Sequence, residues 1–419
     1  MKAAALVCVL AAGGLAHADP LVLTANALAT TTSPAGLITV SADAAMGPDV
    51  SAEAVVWTGG GGNLTGDRPG DVLVMVLRAR TDGGSASGQL GRFVAMLGAL
   101  RPVQIDGAAG RVRLPYHLDL EAYAGVPVVA GLATARTWDW IAGGRVARRI
   151  GDWGSVGVAY LEQRDDGRLA SEEFGLDGGA ALGAHDDLGT RLAYDLANPG
   201  VAEAALTASH RGGALRTELF ASYRAASHLL PATSLFSVLG DVPAERAGAT
   251  WTWRAAPRLD VIADLAIRHA DGDPLDGPAT AETAIRAAMR TTTGGATSAS
   301  AGSFAPEAFV RAKLRLDERG ASALGGELRR DGVGDAAWTG ARGTARIALR
   351  AGLAISTELE LVVPDHDRGL GAVWPWGLAA LSWSRGPWQA AVAIEASASP
   401  EDRRRVDALA QLGRTWGVR

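Results

Sequence analysis

The residues best suited to chemistry lie close together early in the chain. Arg92, Arg101, Asp106, Arg111, Arg113, Asp119 and Glu121 place four guanidinium groups and three carboxylates in one short stretch. If they sit on neighbouring strands, opposite charges come close enough to pair. Rings of such charge can select which solute passes through a pore. The same residues can instead be salt bridges that brace a wall. Two further places hold part of a hydrolytic set. His185 precedes Asp186 and Asp187, and Asp365 and Asp367 flank His366. A histidine oriented by a carboxylate is one component of a hydrolase. Neither place has an identifiable nucleophile, and there is no GxSxG, HExxH, P-loop or Cys/His metal spacing. Asp365 and Asp367 are the acidic pair open to a divalent cation. The expectation is a protein that is not an enzyme, with no catalytic residue, no bound metal and no cofactor.

The elements that must position these charges follow from a repeated alternation. In Leu259-Asp260-Val261-Ile262-Ala263-Asp264-Leu265-Ala266-Ile267-Arg268 the odd positions are all apolar, while Asp260, Asp264 and Arg268 point the other way. Successive strand side chains face opposite sides of a sheet, so this is a strand with one oily and one wet face. The pattern recurs at 52–57, 72–80, 88–98, 103–113, 117–123, 215–221, 308–316, 342–349 and 353–361. In 308–316 one face carries Arg311, Lys313 and Arg315. Three cations on one face need water or counter-charge, since burying unpaired charge is costly. No apolar run beyond the N-terminal segment is long enough for a spanning helix. The predicted fold is all-β, a transmembrane antiparallel up-and-down β-barrel.

The connections carry a separate signal. From residue 246 onward they alternate between short (255–257, 317–320, 350–352, 385–387) and longer (270–306, 331–337, 364–371, 399–403). Outer-membrane barrels have short periplasmic turns and longer outer loops. Counting back with this parity places 16 strands between His117 and Trp416, and about 18 in all, within a range of 16 to 20. Residues 281–290 are left in the long loop because an extra strand would break the parity. Tryptophans gather near turns: Trp251 and Trp253, Trp374 and Trp376, Trp383 and Trp388, and Trp416. Their apolar ring and N–H suit the membrane–water boundary.

Residues 1–18 read as a secretory signal peptide, with Lys2, an apolar core and Ala16-His17-Ala18 as cleavage site. Residues 19–45, rich in Ala and Thr, read as an N-terminal extension, and 46–419 as the barrel. Cys8 is the only cysteine and lies in the signal, so the mature chain can form no disulfide. Forty basic against 45 acidic residues give a net charge of −5, with no basic footprint for nucleic acid. The basic residues are almost all Arg, with Lys2 and Lys313 the only lysines. Arginine suits bidentate grip on phosphate or carboxylate, and a GC-rich coding sequence gives the same bias. A large soluble sandwich or propeller would share the alternation.

The early charged stretch also resembles a known family. Leu90-Gly91-Arg92, then Arg101, then Asp106-Gly107 opening a strand, is similar to the start of alginate-export-like porins and of delta-proteobacterial porin-like barrels. Those carry L-G-R-Q before a strand beginning near F-D-G. Here Phe93 stands for the Gln, and Ile105 precedes Asp106. The resemblance implies an 18-strand channel with a charged lumen, lined by Arg92, Arg101 and Asp106. The functional expectation is a porin-like outer-membrane channel for passive diffusion of small polar or anionic solutes. A plugged structural or adhesive barrel with partner-binding loops is the alternative, and an outer-membrane hydrolase the third reading. The partners expected are outer-membrane lipid and lipopolysaccharide, the barrel-assembly machinery and small polar solutes, with homotrimer formation left open.

Overall fold

The computed structural model describes residues 21–29, 34–60, 70–128, 139–225, 244–270, 303–331, 337–350, 352–365, 373–398 and 405–416. Among these the chain forms one sheet of 22 strands. The first eleven are β1 (Leu21–Ala29), β2 (Pro34–Ala45), β3 (Val50–Gly60), β4 (Gly70–Arg80), β5 (Ala86–Ala95), β6 (Val103–Leu114), β7 (Leu118–Pro127), β8 (Trp140–Ile150), β9 (Gly154–Asp165), β10 (Arg168–Ala181) and β11 (Asp186–Asp195). The others are β12 (Gly200–Gly212), β13 (Leu215–Arg224), β14 (Ala244–Ala256), β15 (Leu259–Ala270), β16 (Ser303–Arg315), β17 (Ala323–Asp331), β18 (Trp338–Ala348), β19 (Leu353–Pro364), β20 (Trp374–Arg385), β21 (Trp388–Ser397) and β22 (Arg405–Trp416). Each pairs antiparallel with the next. β1 also pairs with β22, from Leu21 opposite Trp416 to Ala29 opposite Ala408, so every strand has two neighbours.

The alternation sets two faces. On β15, Leu265 and Ile267 are 55 and 57% exposed, while Asp264 and Ala266 at the alternate positions are 7 and 2% exposed. The apolar side chains, not the charged ones, face the surroundings. Leu328, Leu359, Val392 and Ile394 do the same on later strands. An exposed apolar surface of this extent marks contact with a non-aqueous environment or a partner. We refer to this as the apolar face and to the opposite one as the ion-paired face.

The strand number corrects the expected 18. Beyond His117 lie β7 to β22, the sixteen strands the alternation calls for. The difference lies before it. The four alternating segments there are each a full strand, β3 to β6, and the expected extension at 19–45 contributes β1 and β2. That extension is built largely of Ala, Thr and Ser, whose two faces differ little in hydropathy. Ladder hydrogen bonds to β3 and β22 place it in the sheet where polarity contrast does not. The expected signal at 1–18 lies outside the described residues.

Connections that follow even-numbered strands are all short, the longest being 316–322. Those that follow odd-numbered strands include every longer one, 225–243 and 271–302 among them, although 166–167 is a two-residue turn. The sheet therefore has a short-turn end and a long-loop end. Trp153, Trp253, Trp383, Trp388 and Trp416 are exposed at the short-turn end. Trp376 departs from this, because it lies on the ion-paired face and its Nε1 donates to Glu395 at 2.7 Å.

Candidate functional site

The seven charged residues do not form one ladder; the sheet divides them. Arg111, Arg113, Asp119 and Glu121 share the ion-paired face of β6 and β7, where Arg111 is opposite Glu121 and Arg113 opposite Asp119. Arg111 reaches Asp119 at 3.3 Å and Glu121 at 3.4 Å. The ladder continues through Arg145 on β8, 3.6 Å from Glu121, to Asp177 on β10. That last pair is a fork, with Nε and Nη2 of Arg145 donating to the two Asp177 oxygens at 3.0 and 2.5 Å.

Arg92 and Asp106 lie on the opposite face. They pair across β5 and β6 in register with Met75, on the side that carries Leu77, Leu90 and Val112. Arg92 donates from Nε and Nη2 to the two Asp106 oxygens, both at 2.7 Å, and lies 3.3 Å from Asp71. Its place is explained by the backbone. The β4–β5 ladder stops at Met75 opposite Arg92, leaving carbonyls of β4 without a partner on β5. Arg92 Nη1 donates to the Val72 carbonyl at 2.8 Å, and Gln104 Nε2 to the Leu73 carbonyl at 2.6 Å. A carbonyl left bare here would lose about 1–3 kcal/mol. Arg92 thus completes the wall.

Arg101 belongs to neither strand. It sits in the β5–β6 connection, residues 96–102, which folds against the ion-paired face instead of running over the surface. Leu97 and Leu100 are buried there with Val76, Phe93, Ile105, Tyr123, Ile141 and Leu161. Burying two leucines contributes about 1.5–3 kcal/mol each. Arg101 pairs with the carboxylate of Glu173 on β10, and its Nη2 donates to Ser171 at 2.6 Å. Arg101 is 9% and Glu173 0% exposed, so this pair is sealed from water. Gly98 makes the close approach. Its φ is +53°, and a Cβ there would run into Asp177 and Arg145.

Below this segment, towards the short-turn end, lies a cavity of about 640 Å³. Arg78, Arg80, Arg111 and Glu121 line it together with Met96, Leu97 and Tyr123. Sequence reasoning did not place Arg78 or Arg80 here; their even spacing on β4 with Val76 was the available signal. A second ion-paired wall runs across β14 to β19. Arg246 donates to Glu307 at 2.7 Å and to Asp264 at 2.8 Å, and Arg311 Nε donates to Glu327 at 2.6 Å. Arg342 pairs with Glu358. The counter-charge needed opposite Arg311 is thus Glu327, its direct cross-strand partner.

Of the partial hydrolytic sets, His185 lies in the β10–β11 connection with its ring centre 6.5 Å from that of His210. His210 Nδ1 is 2.7 Å from Asp186, and Arg211 is 3.3 Å from Asp187, at the short-turn end. Ser209, beside His210 on β12, points to the other face, so the two do not converge. Asp365 is held by Arg330, while His366 and Asp367 lie outside the described residues. Among the described residues no group of three or more His, Cys, Asp or Glu is placed to hold a metal ion. No described helix is long and apolar enough to cross a membrane, which says nothing about strands.

No family model matches the chain, and no curated protein matches it. Solved structures do. The ferric citrate transporter FecA in its unliganded form aligns with a TM-score of 0.57 at 8% identity, over 95% of this chain and 78% of that one. The translocation pore of the P pilus usher PapC aligns at 0.52 and 10% identity, over 96% of this chain and all of that one. Pseudomonas aeruginosa OccK5 aligns at 0.41 and 10% identity, over 97% and 100%. At these identities the first two show a shared fold: an antiparallel, up-and-down β-sheet of the kind found in barrels.

Proposed function

We propose that the chain is a closed β-barrel in an outer membrane and acts as a porin-like channel for small polar or anionic solutes. One observation carries the reading: the strand pairing returns from β22 to β1 while the apolar side chains face outward. Closing a sheet leaves no edge, the condition for strands to cross lipid. The ion-paired face then lines the lumen. With 22 strands, a spacing of ~4.8 Å and a tilt of ~40° give a backbone diameter of about 44 Å. Residues 96–102 narrow that lumen from the long-loop side, which is the outer side by the turn rule. Arg111, Arg113, Asp119, Glu121 and the cavity beneath the segment form the charged surface that a solute meets. Arg101 sits behind it as an anchor, and Arg92 and Asp106 face the membrane boundary.

The test is single-channel recording in planar bilayers, with the reversal potential measured in a salt gradient. The expected result is stable ohmic conductance from a protein whose gel migration changes on heating. A folded, inserted protein without conductance would instead support the plugged barrel. A protein that stays soluble and monomeric without detergent would overturn the membrane assignment.

A further inference from the structure

At the short-turn end of the last three strands, the apolar face carries a row of charge among aromatic rings. Arg385 on β20 is opposite Trp388 on β21, and Trp388 is opposite Arg414 on β22. The Arg414 guanidinium lies 4.6 Å from the ring centre of Trp388 and 4.6 Å from that of Trp416. The two rings hold the planar group in one orientation. Among the described residues no carboxylate comes within 4 Å of Arg414 or Arg385, unlike the paired arginines of the opposite face. Arg414 Nε is moreover buried without a hydrogen-bond partner. A guanidinium with no acceptor among the described residues of the chain calls for an anion from outside it.

The surface next to the row restricts what that anion is attached to. Running from Arg414 towards the middle of the sheet, the same face shows Leu381, Val392, Ile394 and Leu412, all exposed, with Ala390 and Ala410 set between them. A solute with an anionic head and long apolar chains matches both parts. A guanidinium binds a phosphate through two parallel N–H donors, and indole rings settle at the headgroup level of a bilayer.

We propose that Arg385, Trp388 and Arg414 hold the phosphate of an anionic phospholipid from the leaflet at the short-turn end, with its acyl chains along Val392, Ile394 and Leu412. The proposal rests on the membrane reading above. Whole protein in mild detergent would be titrated with dioleoyl phosphatidylglycerol or with dioleoyl phosphatidylcholine, and retained lipid counted by native mass spectrometry. Quenching of tryptophan by brominated-chain phosphatidylglycerol would report contact with the rings. Wild type is expected to retain phosphatidylglycerol in preference to phosphatidylcholine. R385Q/R414Q is expected to retain it about thirtyfold less, the factor two arginines contribute near an anionic surface. Equal retention of the two lipids by wild type, which needs no variant, would overturn the site. So would equal retention of phosphatidylglycerol by wild type and a heat-modifiable variant. Failure of wild type to insert into vesicles would instead overturn the membrane reading and the site with it.

Discussion

Replacing Arg101 by Met tests whether residues 96–102 are fastened to the wall. Methionine keeps most of the length of the side chain and removes its charge. Glu173, at 0% exposure and opposite Leu161 on β9, then loses the guanidinium that faces it and keeps the Ser171 hydroxyl at 3.1 Å. Removing one partner of a buried pair costs about 3–5 kcal/mol. Leu97 and Leu100 together supply only about 3–6 kcal/mol of burial. The loss is comparable to what holds the segment down, so it should lift and let water reach Glu173. The amide of Leu100, which donates to the Leu97 carbonyl at 2.9 Å, reports this directly. Hydrogen exchange on protein in lipid nanodiscs is the assay. In R101M the Leu100 amide should exchange about a hundredfold faster or more, because each 1.4 kcal/mol is a factor of ten. Channel current should become noisier as the segment moves. In R101M/E173L the buried charge is gone and an apolar side chain fills its space, so protection should largely return. Protection in R101M equal to wild type, or no recovery in R101M/E173L, would refute the reasoning.

Two other expectations follow from particular contacts. R92Q should lower the thermal midpoint, reflecting roughly 1–2 kcal/mol once the exposure of Asp106 is allowed for. It should leave the reversal potential unchanged, since Arg92 faces away from the proposed lumen; a shift as large as that of E121Q would show the face to be wrong. In the 316–322 turn, Asp317 accepts backbone N–H groups of Ser322 at 2.5 Å and Ala321 at 3.0 Å, which holds its carboxyl below the usual range. Its folded-state value is depressed, so its contribution is complete above the unfolded value near ~3.9 and lost as pH falls through the folded one. An NMR titration of Asp317 should give a midpoint below ~3.9, and a midpoint at or above that value would contradict the turn geometry.

Much of the architecture was legible because strand period and turn chemistry are local. From His117 onward, apolar residues alternate with polar ones and Gly, Pro or Asp marks the turns, so the short and long connections could be told apart and sixteen strands counted from their parity. The contrast fails in two places. In β1 and β2, Ala and Thr make both faces nearly equivalent. In β5 and the start of β6, Phe93, Ala95, Val103 and Ile105 face the same way as the charges of other strands, because residues 96–102 cover them. The polarity of the two faces is reversed there, with Arg92 and Asp106 on the side that is apolar elsewhere, and a period of two no longer tells which is which.

That is why the charged stretch was found but not sorted. Residue types alone determined that cations and carboxylates alternate along strands and must pair, since neither tolerates burial alone. The family resemblance rests on Leu90-Gly91-Arg92 and Asp106-Gly107, and these face one another across β5 and β6. Only the tertiary structure decided that Arg92 patches a broken ladder, that Arg101 anchors an infolded segment to Glu173, and that Arg78 and Arg80 share a cavity with Glu121. Those outcomes depend on contacts between strands far apart in sequence and on which of two similar faces a folded connection covers. A local pattern of polarity carries no information about either.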